Sequence, residues 1–429
     1  MDFNEKRNEN YNENLWEIYG LKTNPFSTSP LLVRGGVLPI ESFCGREEEL
    51  ARLRKIFGSS GGNGILVCGD VGVGKTSFVN VARIRAMERG HFTPFKEVGV
   101  LSDWNAASFV TNTLHAIYST LKLNQDKILQ KESFDKLANF VELSSVERNI
   151  TAVNIAGFGA DINKSIRTND APSSLGLIDF FNDIVDEIVK KTGKDIILHY
   201  NNLERLPEKT MRELFEDLRD FFQNDKAHFV FVGNLTTHTT FQSMPRMSSI
   251  MSDTPILLNE LSFEDIKKIL EIRIRRLRMS DSLNYSVPYN EGVLKTLYEL
   301  YGGNIRNILN SLSTAVTEIT NERPITLTHN LLAATLKTIV EKRYLQGLPK
   351  RAKDVLMEAV KFQEITNRNL SRNTKIARSN ISTYLSQLEV HGCIYLRRKD
   401  GKDKYWSVDP KIKWMLLKAR QKELLEFGD

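Results

Sequence analysis

Residues Gly69 to Thr76 spell Gly-Asp-Val-Gly-Val-Gly-Lys-Thr, a complete G-x-x-x-x-G-K-[ST] phosphate loop, directly after the apolar run Gly64-Ile-Leu-Val-Cys. The motif demands a strand, then a glycine-rich turn whose N–H groups face an anion, then a helix that starts beneath it. The stretch Thr76-Ser-Phe-Val-Asn-Val-Ala-Arg-Ile-Arg-Ala-Met is amphipathic and supplies that helix, whose positive dipole end adds to the anion site. Gly69, Asp70, Val71, Gly72, Val73, Gly74, Lys75, Thr76 and Ser77 are therefore the expected nucleotide-binding residues. Lys75 is suited to the β- and γ-oxygens, and the Thr76 hydroxyl to Mg²⁺. The expected ligand is a nucleoside triphosphate with Mg²⁺.

Around this motif, short apolar runs alternate with long amphipathic stretches, the pattern of an α/β domain with a parallel sheet and helices on both faces. Strands are predicted at 64–69, 96–101, 194–200, 228–233 and 254–259, and helices at 76–89, 104–122, 175–192, 207–224 and 262–279. Residues 1–45 form an N-terminal lead-in and 46–260 the nucleotide-binding domain. Within it, 149–166 alternates in steps of two around Gly157-Phe-Gly and predicts a hairpin insertion. From 261 to 345 the pattern is wholly helical, opened by a Ser-x-x-Asp cap at Ser262.

Residues 346–429 read as a winged helix. A first helix starts at Arg351, a short second one lies within 365–376, and a recognition helix begins at Ser379, with Ile381, Leu385 and Leu388 on one face. Cys393 to Asp409 then forms a hairpin, the wing, around Asp400-Gly401. Residues 341–429 hold 20 Lys/Arg against 11 Asp/Glu, while the rest of the chain holds 39 against 42, so the positive excess sits in this last fifth. Such a patch suits a phosphate backbone. Asn380, Ser382, Thr383 and Gln387 are placed to meet base edges, and Arg378, Arg397, Arg398, Lys399, Lys402 and Lys404 to meet phosphates, with Arg372 and Lys375 flanking.

Cys44, Cys68 and Cys393 are far apart and form no metal-spaced cluster. No apolar run approaches the roughly 18 residues of a membrane span, and the first ten residues are too polar for a secretory signal. These features predict a cytoplasmic protein without a membrane partner.

The chain resembles the AAA+ ATPases, more narrowly the initiator-like branch that contains origin-recognition proteins and related prokaryotic ATPases, over most of residues 20–420. Phe43-Cys-Gly-Arg-Glu-Glu-Glu-Leu50 is similar to the family's F-x-G-R-e-x-E-l segment, which in relatives helps cradle adenine. The resemblance makes 46–260 an AAA+ domain and 261–345 a helical lid. It implies that Asn234, after the fourth strand, is a sensor near the γ-phosphate. It also implies that Arg306, in Gly303-Asn-Ile-Arg, is a nucleotide-contacting lid arginine, and that Arg246 is a finger offered to a neighbouring subunit. One departure stands out. Where relatives place adjacent acids at the end of the third strand, this chain has Asn201, in the metal-ordering position, and Asn202, and Glu204, two residues further on, is the candidate catalytic acid left to compensate. A neutral amide is no general base.

The expected function is ATP-controlled DNA binding by a self-associating protein with weak or absent hydrolysis. The alternatives are a STAND-like switch that uses the winged helix for contacts with other protein partners, and an active ATPase motor.

Overall fold

A computed structural model describes residues 14–59, 61–123, 128–155, 174–252, 254–280, 284–400 and 403–417. The chain divides into two compact units, one of residues 28–276 and the other of 1–27 together with 277–429.

The 28–276 unit is the α/β one. Its elements run α1 (Glu47–Phe57), β1 (Gly64–Gly69), α2 (Lys75–Met87), β2 (Val98–Gly99), α3 (Ala106–Leu123), α4 (Lys131–Ile155) and α5 (Ser174–Thr192). They continue through β3 (Ile196–Asn201), α6 (Glu208–Asp217), α7 (Arg219–Phe222), β4 (Ala227–Gly233), α8 (Leu235–Gln242), α9 (Pro245–Ser248), β5 (Ile256–Leu258) and α10 (Phe263–Arg276). The five strands are parallel in the order β2-β3-β4-β1-β5. Every residue of β4 is buried, as a central strand covered on both faces requires. One face packs on an aromatic cluster in which Phe109 stacks on Tyr200 with ring centroids 4.5 Å apart, and Phe215, Phe221, Phe222, Phe229 and Phe231 close around them. Because the strands are parallel, their carboxyl ends share one edge, and the loops after β1, β3 and β4 gather there.

The hairpin predicted near 149–166 is corrected in its first part. Residues 149–155 are the last turns of α4, and 156–166 lie outside the described residues. The apolar residues Ile150 and Val153 are spaced three apart, which satisfies a helix as well as a strand pair. The helix predicted at 207–224 divides at Leu218, whose ψ of 9° leaves the helical region. The helix that opens the expected lid, α10, groups with the α/β unit. Its Ser262 cap forms as predicted, the hydroxyl accepting from Asp265 N at 3.1 Å.

In the other unit, α11 (Glu291–Tyr301), α12 (Ile305–Ile319) and α13 (His329–Ile339) lead through a π-helical segment, Val340–Leu345, into α14 (Lys350–Ala359), α15 (Asn367–Thr374) and α16 (Arg378–Val390), then β6 (Ile394–Asp400) and β7 (Asp403–Val408). The last two pair antiparallel with a register shift between Leu396 and Arg398. Ile381, Leu385 and Leu388 of α16 are buried with Val355, Leu356, Leu370 and Trp406, so this module carries its own core. The lead-in is shared between the units. Tyr19 bonds Thr320 and the carbonyl of Ile325, and Trp16 meets Phe26, which meets Tyr289. By contrast Leu31 joins α2, its N–H donating to Ser77 Oγ and its carbonyl accepting from Asn80.

Candidate nucleotide-binding site

The phosphate loop begins where β1 ends, and each glycine has a reason. A Cβ on Gly69 would stand 2.4 Å from the carbonyl oxygen of Leu258 in β5, so no larger residue fits between these strands. Gly72 and Gly74 take φ values of 91° and 96°, a left-handed region that glycine enters without penalty. Val73 is buried between them and Val71 exposed. Gly74 caps α2, so the helix starts at Lys75 with its dipole under the loop.

Lys75 is 8 % exposed, and its Nζ donates to the carbonyls of Gly69 at 2.8 Å and Asp70 at 2.9 Å. Those are bonds that phosphate oxygens can replace. Thr76 is paired with the end of β3: Asn201 Nδ2 donates to Thr76 Oγ1 at 3.0 Å, and Asn201 Oδ1 lies 3.4 Å from the same hydroxyl. Asn201 Oδ1 also accepts from Asn202 N at 3.0 Å, and Asn202 itself sits at φ 67°, ψ 31°. The strand end thus brings one amide, that of Asn201, to the threonine, and no group of three His, Cys, Asp or Glu suited to a metal occurs among the described residues. Thr76 Oγ1 and Asn201 Oδ1 are oxygen donors of the kind magnesium takes, but both are neutral.

Glu204, exposed on the turn Leu203–Arg205, is the acid closest in sequence to this pair. Its charge is felt at Cys68, the residue before the loop: burial pushes the Cys68 thiol up to about 12, with Lys75 opposing and Glu204 adding to the rise. Glu204 and Lys75 therefore act on the same end of β1. Asn234 is also there, its carbonyl accepting from Cys68 Sγ at 3.3 Å. Its side-chain oxygen is committed to the cap of α8, accepting from Thr237 N at 2.9 Å and from Thr237 Oγ1 at 3.1 Å. Arg246 lies in α9, after Pro245. Arg306 lies in the other unit, exposed on the first turn of α12 after the Asn304 cap.

Sequence reasoning missed a polar cluster beneath the loop. Arg83 of α2 is fully buried and donates to Asn80, Thr93 and the carbonyl of Pro94, with its Nη1 3.3 Å from His199 Nδ1 of β3. Burial lowers the Arg83 guanidinium to about 10, with Glu97 only partly offsetting it, and burial with Arg83 holds His199 well below the ordinary histidine range. The available signal was a histidine two residues before Asn201 in an otherwise apolar strand.

On the basic module, Arg372, Lys375, Arg378, Asn380, Ser382, Thr383, Arg397 and Lys404 are exposed. Gln387 departs from the outward position assigned to it: it is half-buried, with Oε1 enclosed and unbonded. Trp406 is core, with Lys404 Nζ 5.9 Å from its ring. Arg398 and Lys399 fall on β6, and Lys402 lies outside the described residues.

No family model matches the chain, and no curated protein matches it in sequence. Among solved structures it is similar to the Aeropyrum pernix ORC1 protein in complex with DNA, at 15% identity and a TM-score of 0.47 over 95% of this chain and 99% of that one. It is also similar to the Aeropyrum pernix ORC2 protein in ADPNP–ADP complexes, at 14% and 0.48 over 94% and 98%. A further similarity is to a single-residue variant of Thermotoga maritima RuvB, at 13% and 0.38 over 83% and 91%. The chain's own strand order puts the phosphate loop after the strand between β4 and β5, at the carboxyl edge of a parallel α/β sheet, the arrangement of a P-loop fold.

Proposed function

We propose that residues 69–77 bind ATP with magnesium, and that the basic C-terminal module, read as a winged helix, binds duplex DNA in a self-associating assembly under nucleotide control. Hydrolysis in this reading is slow or absent. The observation that carries it is the pairing of the Thr76 hydroxyl with the Asn201 amide beside a lysine already turned onto its own loop. That arrangement retains every group needed to hold phosphates and lacks charge where a metal is ordered and water activated.

Bound magnesium–ATP supplies the anionic oxygens and the divalent charge. The chain's part is to grip and orient. Lys75 exchanges the Gly69 and Asp70 carbonyls for phosphate oxygens, Thr76 and Asn201 face the cation with neutral oxygens, and the loop N–H groups line the anion. Neither Asn201 nor Asn202 accepts a proton from water, and loss of a general base costs about 10²–10⁴-fold in rate. Arg306 and Arg246 enter the reading through motif resemblance, as phosphate-contacting arginines. A motor reading assigns the base to Glu204, the acid on the turn directly after Asn202. In that case Glu204→Gln abolishes phosphate release.

The test is binding of a fluorescent ATP analogue with magnesium. Lys75→Ala is expected to weaken it more than tenfold, and an unchanged affinity overturns the nucleotide assignment. In parallel, retention of duplex DNA is expected to depend on ATP and to fall steeply with salt. A chain that binds ATP but ignores DNA at low salt favours the protein-recruiting switch.

A further inference from the structure

Arg46 precedes α1 and bonds to the phosphate loop without belonging to it. Its Nη2 donates to the carbonyl of Val73 at 3.0 Å and to the carbonyl of Asn259, just past β5, at 2.6 Å. The first acceptor lies at the crest of the loop, between the two left-handed glycines. The second follows β5, the strand paired with β1 on the side away from β4. One nitrogen thus ties the loop to its neighbouring strand, and the side chain that carries it is 7 % exposed.

The local backbone is shaped to deliver that side chain. Arg46 has φ 63°, a left-handed conformation uncommon for a residue with a side chain, and Gly45 before it has φ 80°. A Cβ on Gly45 would come within 3.2 Å of the Asp265 carboxylate of α10, which would have to shift to admit it. Three acids from three segments set the charge around Arg46. Glu49 of α1 is 3.9 Å from Nη1, and Asp265 and Glu260 add their fields. Together they oppose the lowering that burial imposes on the guanidinium. A strained backbone and a buried cation are both costly to keep, and such features persist where the surroundings over-determine them.

We propose that Arg46 is a positioning residue for the phosphate loop: by holding the Val73 carbonyl against the end of β5, it fixes the loop amides in the orientation an anion needs. The proposal rests on the nucleotide reading. Arg46 lies in the Phe43–Leu50 segment likened above to an adenine cradle, and the role added here is its effect on the phosphate loop's geometry, which loop exchange without nucleotide reads separately from any adenine contact. Asp265 and Glu260 add negative charge beside the guanidinium, offsetting part of the cost of burying it.

The test uses the full chain with Arg46→Gln and, should that variant fail to fold, Arg46→Lys. Affinity for the fluorescent ATP analogue, melting temperature without nucleotide, and hydrogen–deuterium exchange of the segment 69–76 are measured together. The expected result is a loss of about tenfold or more in ATP affinity, faster exchange of the loop amides, and a nucleotide-free melting temperature close to that of wild type. Unchanged affinity and exchange overturn the proposal. So does a large fall in melting temperature with the affinity of the folded fraction intact, since that marks a residue that only supports the fold. If wild-type protein binds no nucleotide, the ATP reading fails by itself, and the exchange measurement still decides whether Arg46 orders the loop.

Discussion

At the scale of single residues, two adjacent asparagines do different things. Asn201 is a hydrogen-bonding partner of Thr76, while Asn202 occupies a left-handed backbone position, a conformation in which asparagine is enriched several-fold over most residues. Its amide thus has a conformational reason as well as a chemical consequence. Restoring acids with Asn201→Asp and Asn202→Glu should raise steady-state phosphate release by about 10²-fold, because charge and a base return together. The same double change should lower thermal stability, since a glutamate at φ 67° costs about 1–2 kcal/mol. A phosphate-release assay and a melting curve on one preparation check both halves. Turnover that stays flat would place the missing element elsewhere than at the end of β3.

At the scale of elements, β3 and β4 each bury a histidine. Burial holds His199 well below its ordinary range, and burial with the neighbouring His91 brings His228 down to about 4. In the unfolded chain both titrate near 6.5, so below that pH the unfolded state binds more protons. Their stabilisation is present above about pH 6.5 and lost as pH falls below it, for His228 down to about 4 and for His199 in the same direction, each contributing up to about 1.4 kcal/mol per pH unit. Urea midpoints at pH 7.5 and pH 5 should differ accordingly, and His228→Phe, whose ring would still meet Phe57, should flatten the slope. The strands themselves were legible, because a sheet covered on both faces leaves near-continuous apolar runs such as Phe229 to Val232. The 149–155 segment misled because apolar spacing in a short window fits two periods. Asn234 was legible as a residue after a strand, but whether it senses a ligand or caps a helix depends on where Thr237 places its N–H and hydroxyl. The Arg83–His199 cluster and the Arg46 tie join residues distant in sequence, and no local pattern encodes such contacts.

At the scale of the whole molecule, charge is partitioned along the chain. The segment 341–429 carries the positive excess, and exposed Arg378, Arg397 and Lys404 present part of it on one module. If these meet phosphates, Arg397→Ala should weaken binding about equally for unrelated duplexes and reduce the slope of log K against log salt by about one. A loss confined to one DNA sequence would assign Arg397 to base reading instead. Among the described residues no helix is long and apolar enough to cross a membrane.

The anchoring of Tyr19 to Thr320 and Ile325 has a consequence for synthesis on the ribosome. The emerging chain exposes Tyr19 some three hundred positions before Thr320 and Ile325 are translated, and Phe26 well before Tyr289, so these rings travel without those partners while the intervening domain assembles. A nascent chain stalled before residue 320 therefore presents a sticky leading end, a natural target for chaperones that hold unfinished polypeptides.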